Sequence, residues 1–232
     1  MANPANPADP WTAPDRDRIA CLTIEVQRDT LVGGACPVAG ADAALAGIDR
    51  ALRAFRERDD LIVHAVRLYL PAGSNAEAAR RGRIAGGELL FAPGTDGAEL
   101  CKETQPGIFT ELDPPLLLSG GLQELAPNEF AIWKPRWGAF HGTDLLKLLD
   151  ACRVTTLVLS GADWPMGPRA TVYEASARDL RVVVLTDATA GLDARGIEFL
   201  RAIGAWAVET EAFIDWFRRG RPLRAAWGEA VG

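Results

Sequence analysis

Apolar, β-branched runs alternate along this chain with stretches whose apolar residues recur at helical spacing. Six runs read as strands: Ile19 to Val26 (IACLTIEV), Leu61 to Leu70 (LIVHAVRLYL), Glu129 to Lys134 (EFAIWK), Thr155 to Gly161 (TTLVLSG), Arg181 to Asp187 (RVVVLTD) and Ala205 to Thr210 (AWAVET). Between the first two, Ala44, Leu45, Ile48, Leu52 and Phe55 fall at i, i+3, i+4 spacing and predict a helix from about Val38 to Asp59. Further helices are predicted over 144–151, 169–179, 192–203 and 211–219, the last with Phe213, Trp216 and Phe217 on one side. Apolar strands alternating with helices imply an α/β fold, a parallel sheet of six strands with helices on both faces. The segment from Pro71 to Pro127 breaks the alternation and reads as an excursion over the sheet, not as a second domain. The Pro-rich start, residues 1–17, reads as a flexible tail, and residues 18–232 as a single domain.

Composition narrows the class. The chain has 232 residues, of which 48% are hydrophobic and 24% charged, an ordinary globular make-up with enough length for a sizeable core. A net charge of −6 argues against a nucleic-acid partner. No apolar run reaches the roughly 18 residues that a membrane span needs, and the first residues lack the basic and apolar regions of a secretory signal. Cys21, Cys36, Cys101 and Cys152 are widely spread with no CxxC pair, so a reduced, cytoplasmic protein is expected. The two histidines, His64 and His141, have no closely spaced ligand partner, so neither a metal site nor a cofactor is expected.

In parallel sheets, ligands bind beyond the carboxyl ends of the strands. That rule singles out Glu25, Lys134 and the loop from Gly161 to Arg169. A carboxylate among apolar residues is costly unless paired; a salt-bridging acid at the sheet edge is the plain alternative for Glu25. Lys134 closes an apolar strand, where a lysine commonly snorkels to solvent. On adjacent strand ends the two would perturb each other's proton affinity. Gly167 lets backbone approach a ligand at a helix start, although the loop also reads as a plain strand-to-helix turn. Arg80, Arg81 and Arg83 form a basic cluster that either clamps a carboxylate or is a solvated face. Trp133, Trp137, Phe140 and Trp164 fall near the same strand ends, as pocket lining or as simple packing. Cys21 and Cys152 read as inert fillers, whereas Cys36 and Cys101 sit in loops and stay open as thiols.

Several segments together resemble the isochorismatase-like hydrolases, the cysteine hydrolase superfamily. Ile24-Glu25-Val26-Gln27-Arg28-Asp29 is similar to the family's hydrophobic-Asp-hydrophobic-Gln-x-Asp pattern, and KPRWGAFHGTDL (Lys134 to Leu145) to its Lys-Pro block. Gly161, Thr171 and DATAG (Asp187 to Gly191) match further positions. The resemblance spans about Arg18 to Phe217 and implies a three-layer Rossmann-like fold and, commonly, a homo-oligomer.

The departures matter as much. Where most members carry the nucleophilic cysteine, this chain has Gly167, and where they carry the catalytic Asp it has Glu25. Without the thiol, amide hydrolysis through that covalent route is excluded. The resemblance extends to true isochorismatases, which have Gly there and need no nucleophilic side chain: an acid protonates a vinyl ether and water adds. It therefore implies Glu25, Lys134 and Gly167 as the catalytic set, acting on a small carboxylated substrate. Gln27, Arg81, Trp137, Phe140 and Trp164 are the expected substrate contacts. A lapsed family member serving as a binding or scaffold protein is the alternative, and an amide hydrolase using another thiol such as Cys36 a further one.

Overall fold

The computed structural model describes residues 9–107 and 109–220. Its centre is a seven-stranded sheet of β1 (Ile19–Ile24), β2 (Leu61–Val66), β3 (Leu122–Ala126), β4 (Glu129–Trp133), β5 (Thr156–Gly161), β6 (Arg181–Thr189) and β7 (Trp206–Val208), in the spatial order β3-β4-β2-β1-β5-β6-β7. Every pair is parallel except β3 with β4. Helices α1 (Ala41–Arg58), α2 (Ala78–Ala85), α3 (Pro114–Leu118), α4 (Leu145–Ala151), α5 (Gly167–Ser176), α6 (Ala194–Ala202) and α7 (Thr210–Arg219) complete the described chain.

The period-2 geometry of a strand divides the core into two layers. Along β1, Ile19 and Cys21 pack with Leu52 and Phe55 of α1 and Phe213 and Phe217 of α7. Ala20, Leu22 and Ile24 face the other way, onto Leu145 and Leu149 of α4, Val172 of α5 and Leu200 of α6. This is why the central strands read as continuous apolar runs: both faces are covered.

The expected six parallel strands become seven. The additional one, β3, is an antiparallel edge strand inside the segment read as an excursion. Its sequence LQELA is only partly buried, so it lacks the apolar signature of a strand covered on both faces. Pro127 and Asn128, the latter at φ 57°, turn it into β4. The second strand also ends earlier than read, at Val66, which frees Arg67 to Leu70 to cross the rim.

Residues 1–8 and 221–232, parts of the expected tail and domain, lie outside the described residues. From Pro10 on, the chain lies against the sheet: the Trp206 indole donates to the Thr12 carbonyl (3.0 Å) and the Asp15 N–H to the Thr156 hydroxyl (2.8 Å).

One polar network crosses the core beneath α1. Arg56 makes two bonds to the Glu129 carboxylate, at 2.7 and 2.8 Å. Glu129 is also 2.9 Å from His64 Nε2, and His64 Nδ1 is 2.8 Å from the Thr23 hydroxyl. A carboxylate can only accept, so Nε2 is the donor to Glu129. The network ties β1, β2 and β4 together, the three strands whose far ends carry Glu25, Arg67 and Lys134.

Candidate functional site

The strand order changes direction at β1: the next strand, β2, lies on one side and β5 on the other. A crevice is expected at the carboxyl ends there. Glu25 follows β1 in a left-handed conformation, φ 55°, which costs a non-glycine residue on the order of 1 kcal/mol or more. Its N–H stays bonded to the Ala65 carbonyl at 2.9 Å, while the turn sends its side chain over the rim. Gly161 at the end of β5 makes the close approach possible: its φ is 147°, and a Cβ there would lie 2.3 Å from the Ile24 carbonyl oxygen.

Glu25 and Lys134 meet, although not on adjacent strand ends as expected: β2 lies between β1 and β4, and the two long side chains reach across its end. Both are fully buried, and the Lys134 ammonium donates to Glu25 Oε1. It also donates to the carbonyls of Trp137 (3.1 Å) and Arg136 (3.3 Å). Its three donors are therefore all engaged.

The sequence reading missed the largest component. Arg67, fully buried, donates from Nε to Glu25 Oε1 (2.9 Å) and from Nη1 to the Lys134 carbonyl (3.2 Å), and its Nη2 pairs with Glu77. Tyr69 donates to Glu77 at 2.7 Å, and Arg80 donates to the Tyr69 hydroxyl at 3.1 Å. The result is a sealed cluster of three cations (Lys134, Arg67, Arg80) and two carboxylates (Glu25, Glu77). A signal existed: Arg67 and Tyr69 interrupt an apolar run at its end, where a buried charge demands partners.

Burial opposes ionisation of Glu25, yet Lys134, Arg67 and Arg80 together outweigh it and hold the carboxyl at about 2. Burial pushes Lys134 down to about 8 against the pull of Glu25. Asp163, half-buried nearby, is shifted up by burial and then by the charge of Glu25, with Arg80 opposing.

Gly167 opens α5 and faces the pair. A Cβ built on it would lie 2.9 Å from Ile24 Cγ2, 3.3 Å from Glu25 Oε1 and 3.5 Å from Lys134 Nζ. Glu25, Lys134 and Gly167 thus come together. The other sequence candidates divide. Trp137 stands over the cluster, with Arg80 4.8 Å and Arg67 5.3 Å from its ring. Beside it opens a cleft of about 290 Å³ lined by Trp137, Pro165, Met166, Arg169, Ala170 and Tyr173.

Gln27 is buried and its amide is spent on backbone: it accepts from the Arg67 N–H (2.7 Å) and donates to the carbonyls of Arg67 (2.8 Å) and Ala98 (2.5 Å). It braces Arg67. Arg81 is exposed and donates to the Ala76 carbonyl (3.0 Å); its neighbour Arg80 is the arginine turned into the cluster. Trp164 packs away from Glu25 against Phe199, ring centroids 6.5 Å apart. Phe140 packs in the core beside Arg178. Among the thiols, burial pushes Cys21 and Cys101 up to about 12, and Cys36 packs against the group of Tyr69, Ile84 and Phe91. No group of His, Cys, Asp and Glu able to hold a metal ion occurs among the described residues, and no helix among them is long and apolar enough to cross a membrane.

A parallel α/β sheet with an acid–amine pair over its carboxyl rim defines a class, and comparison with known proteins supplies the family. The isochorismatase domain model matches residues 118–212. A probable inactive nicotinamidase of Arabidopsis thaliana is 31% identical over 174 residues, 74% of this chain and 80% of that protein. The crystal structure of an isochorismatase family protein from Desulfovibrio vulgaris is 30% identical, with a TM-score of 0.74 over 88% of this chain and all of that one. A cysteine hydrolase from Pseudomonas syringae shares the fold at 17% identity and a TM-score of 0.72, over 88% of this chain and 93% of that one. This chain belongs to the isochorismatase family.

Proposed function

We propose that this protein is a lapsed member of the family, a binding protein for a small carboxylated molecule that does not turn over amides. The observation that carries the reading is the pairing of Gly167 with an ionised Glu25 whose Oε1 is held by both Lys134 and Arg67. The position facing the acid and the amine offers no nucleophile. The acid itself accepts from two cations and is held near 2, so it carries no proton to give at neutral pH. Lys134 has no donor left for a substrate oxyanion. Ligand preference follows from charge and shape: the buried cluster of three cations and two carboxylates leaves one positive charge in excess, and the partly buried Trp137 offers a ring face to the neighbouring cleft, whose wall also carries Arg169. The relative's description as a probable inactive nicotinamidase supports the same reading.

A second reading keeps chemistry: water addition to a vinyl ether with Glu25 as general acid. The close approach of Glu25, Lys134 and Gly167 favours it, and the low proton affinity of Glu25 opposes it.

One experiment separates them. Concentrated protein is incubated with nicotinamide, pyrazinamide and isochorismate, following ammonia and pyruvate release, while calorimetry follows nicotinate and benzoate binding. The lapsed reading expects carboxylate binding without product. Product formation that Glu25→Gln abolishes would overturn it in favour of the second.

A further inference from the structure

A cleft of about 700 Å³, separate from the charge cluster, opens between α1 and the segment carrying Lys102, Gln105 and Phe109. We propose that it binds a small phosphorylated molecule, a phosphomonoester with a ring or chain attached.

The walls carry donors with no protein acceptor among the described residues. Arg53, two-thirds exposed, uses only its Nε, on Asp49. Arg28 uses one Nη, on Asp96. A guanidinium carries five donors, so most of both remain free. Lys102 projects from the same wall and makes no ion pair among the described residues.

Gln105 gives the independent sign. It is only 9% exposed and lines the cleft. Its Oε1 accepts from the Thr110 N–H at 3.3 Å, which fixes the orientation of the amide. Its Nε2, buried, has no acceptor among the described residues. A buried donor left unpaired is costly, and an oxygen-rich ligand that displaces the wall slightly would relieve it. The carboxylates of the lining, Asp49 and Glu103, and those behind it, Asp96 and Glu129, balance the four cations Arg28, Arg53, Arg56 and Lys102. The selectivity therefore comes from unused donors more than from net charge, and a phosphoryl group, with three terminal oxygens, uses them better than a carboxylate. Phe109, half-exposed with Arg28 5.3 Å from its ring centroid, gives an organic substituent a face to rest on.

The test is calorimetric titration of the full chain with phenyl phosphate, inorganic phosphate and benzoate at constant ionic strength. Phenyl phosphate is expected to bind saturably and more tightly than inorganic phosphate. Arg53→Gln and Lys102→Gln, both surface changes, should each weaken it about tenfold, the loss of a charge-assisted bond. Gln105→Glu should weaken it further, and Phe109→Ser should erase the advantage over inorganic phosphate. Trp137→Ala, which alters the cleft beside the charge cluster, should leave phenyl phosphate binding unchanged. Three results would overturn the assignment: no saturable binding, binding that survives the Arg53→Gln/Lys102→Gln double change, or benzoate displacing bound phenyl phosphate as effectively as inorganic phosphate does. Failure here leaves the reading of the charge cluster untouched, and the converse holds.

Discussion

Glu25 and Gly167 are predicted to be one size-compensating pair. The carboxylate reaches into the space that any side chain at 167 would need: an added Cβ would sit 2.9 Å from Ile24 Cγ2 and 3.3 Å from Glu25 Oε1. Both contacts are tighter than packed neighbours prefer, and Glu25 cannot swing away because Lys134 and Arg67 hold the same oxygen. Gly167→Ala gains little in helix propensity at a first helical position before Pro168 and should pay an overpacking cost of about 1–3 kcal/mol, for a net loss of about 1 kcal/mol or more. Glu25→Asp withdraws the carboxylate from its cations and should cost about 3 kcal/mol or more on its own. In the double variant the shorter acid relieves the 3.3 Å contact while the contact with Ile24 Cγ2 remains, so the alanine should be penalised less, and the two changes should couple favourably by about 1 kcal/mol. A double-mutant cycle from urea unfolding, followed by tryptophan fluorescence, measures this. Additivity within about 0.5 kcal/mol would refute the reasoning.

Three further outcomes are expected. Lys134→Met should destabilise the fold by about 3–5 kcal/mol, because Glu25 loses its closest cation while staying buried; a smaller loss of about 2 kcal/mol is expected for Lys134→Met/Glu25→Gln by chemical denaturation. Glu129 is held at about 2, burial being outweighed by Arg56 and His64. Its folded proton affinity lies below the unfolded value of roughly 4.3, so its stabilising contribution, on the order of 3 kcal/mol, is complete above about pH 5 and lost as pH falls towards 2. Glu129→Gln should flatten the acid limb of a stability-versus-pH curve; an unchanged slope would count against the network. Finally, iodoacetamide on the native protein should modify Cys152, which is exposed, and spare buried Cys21 and Cys101, whose thiols are pushed to about 12; mass mapping of the adducts checks this.

The layered α/β fold was legible in the chain because strands covered on both faces must be apolar throughout, as IACLTIEV and RVVVLTD are. Edge strand β3 was not, since LQELA buries little and borrows its order from β4. The meeting of Glu25 with Lys134 could be anticipated from two strand ends and a rule about sheets, and Gly167 from the strand-to-helix loop together with the family resemblance. The charges that govern that meeting could not. Arg67 and Arg80 sit far from Glu25 in sequence, and only the packing of α2 and the β2 exit over the rim brings their guanidinium groups to one carboxylate. Hydrophobic pattern is a local property written every few residues, whereas proton affinity depends on every charge within a few ångströms, whatever its place along the chain. That difference explains why the frame of this protein can be read in its residues in order, and why Glu25 holds its negative charge only in the folded chain.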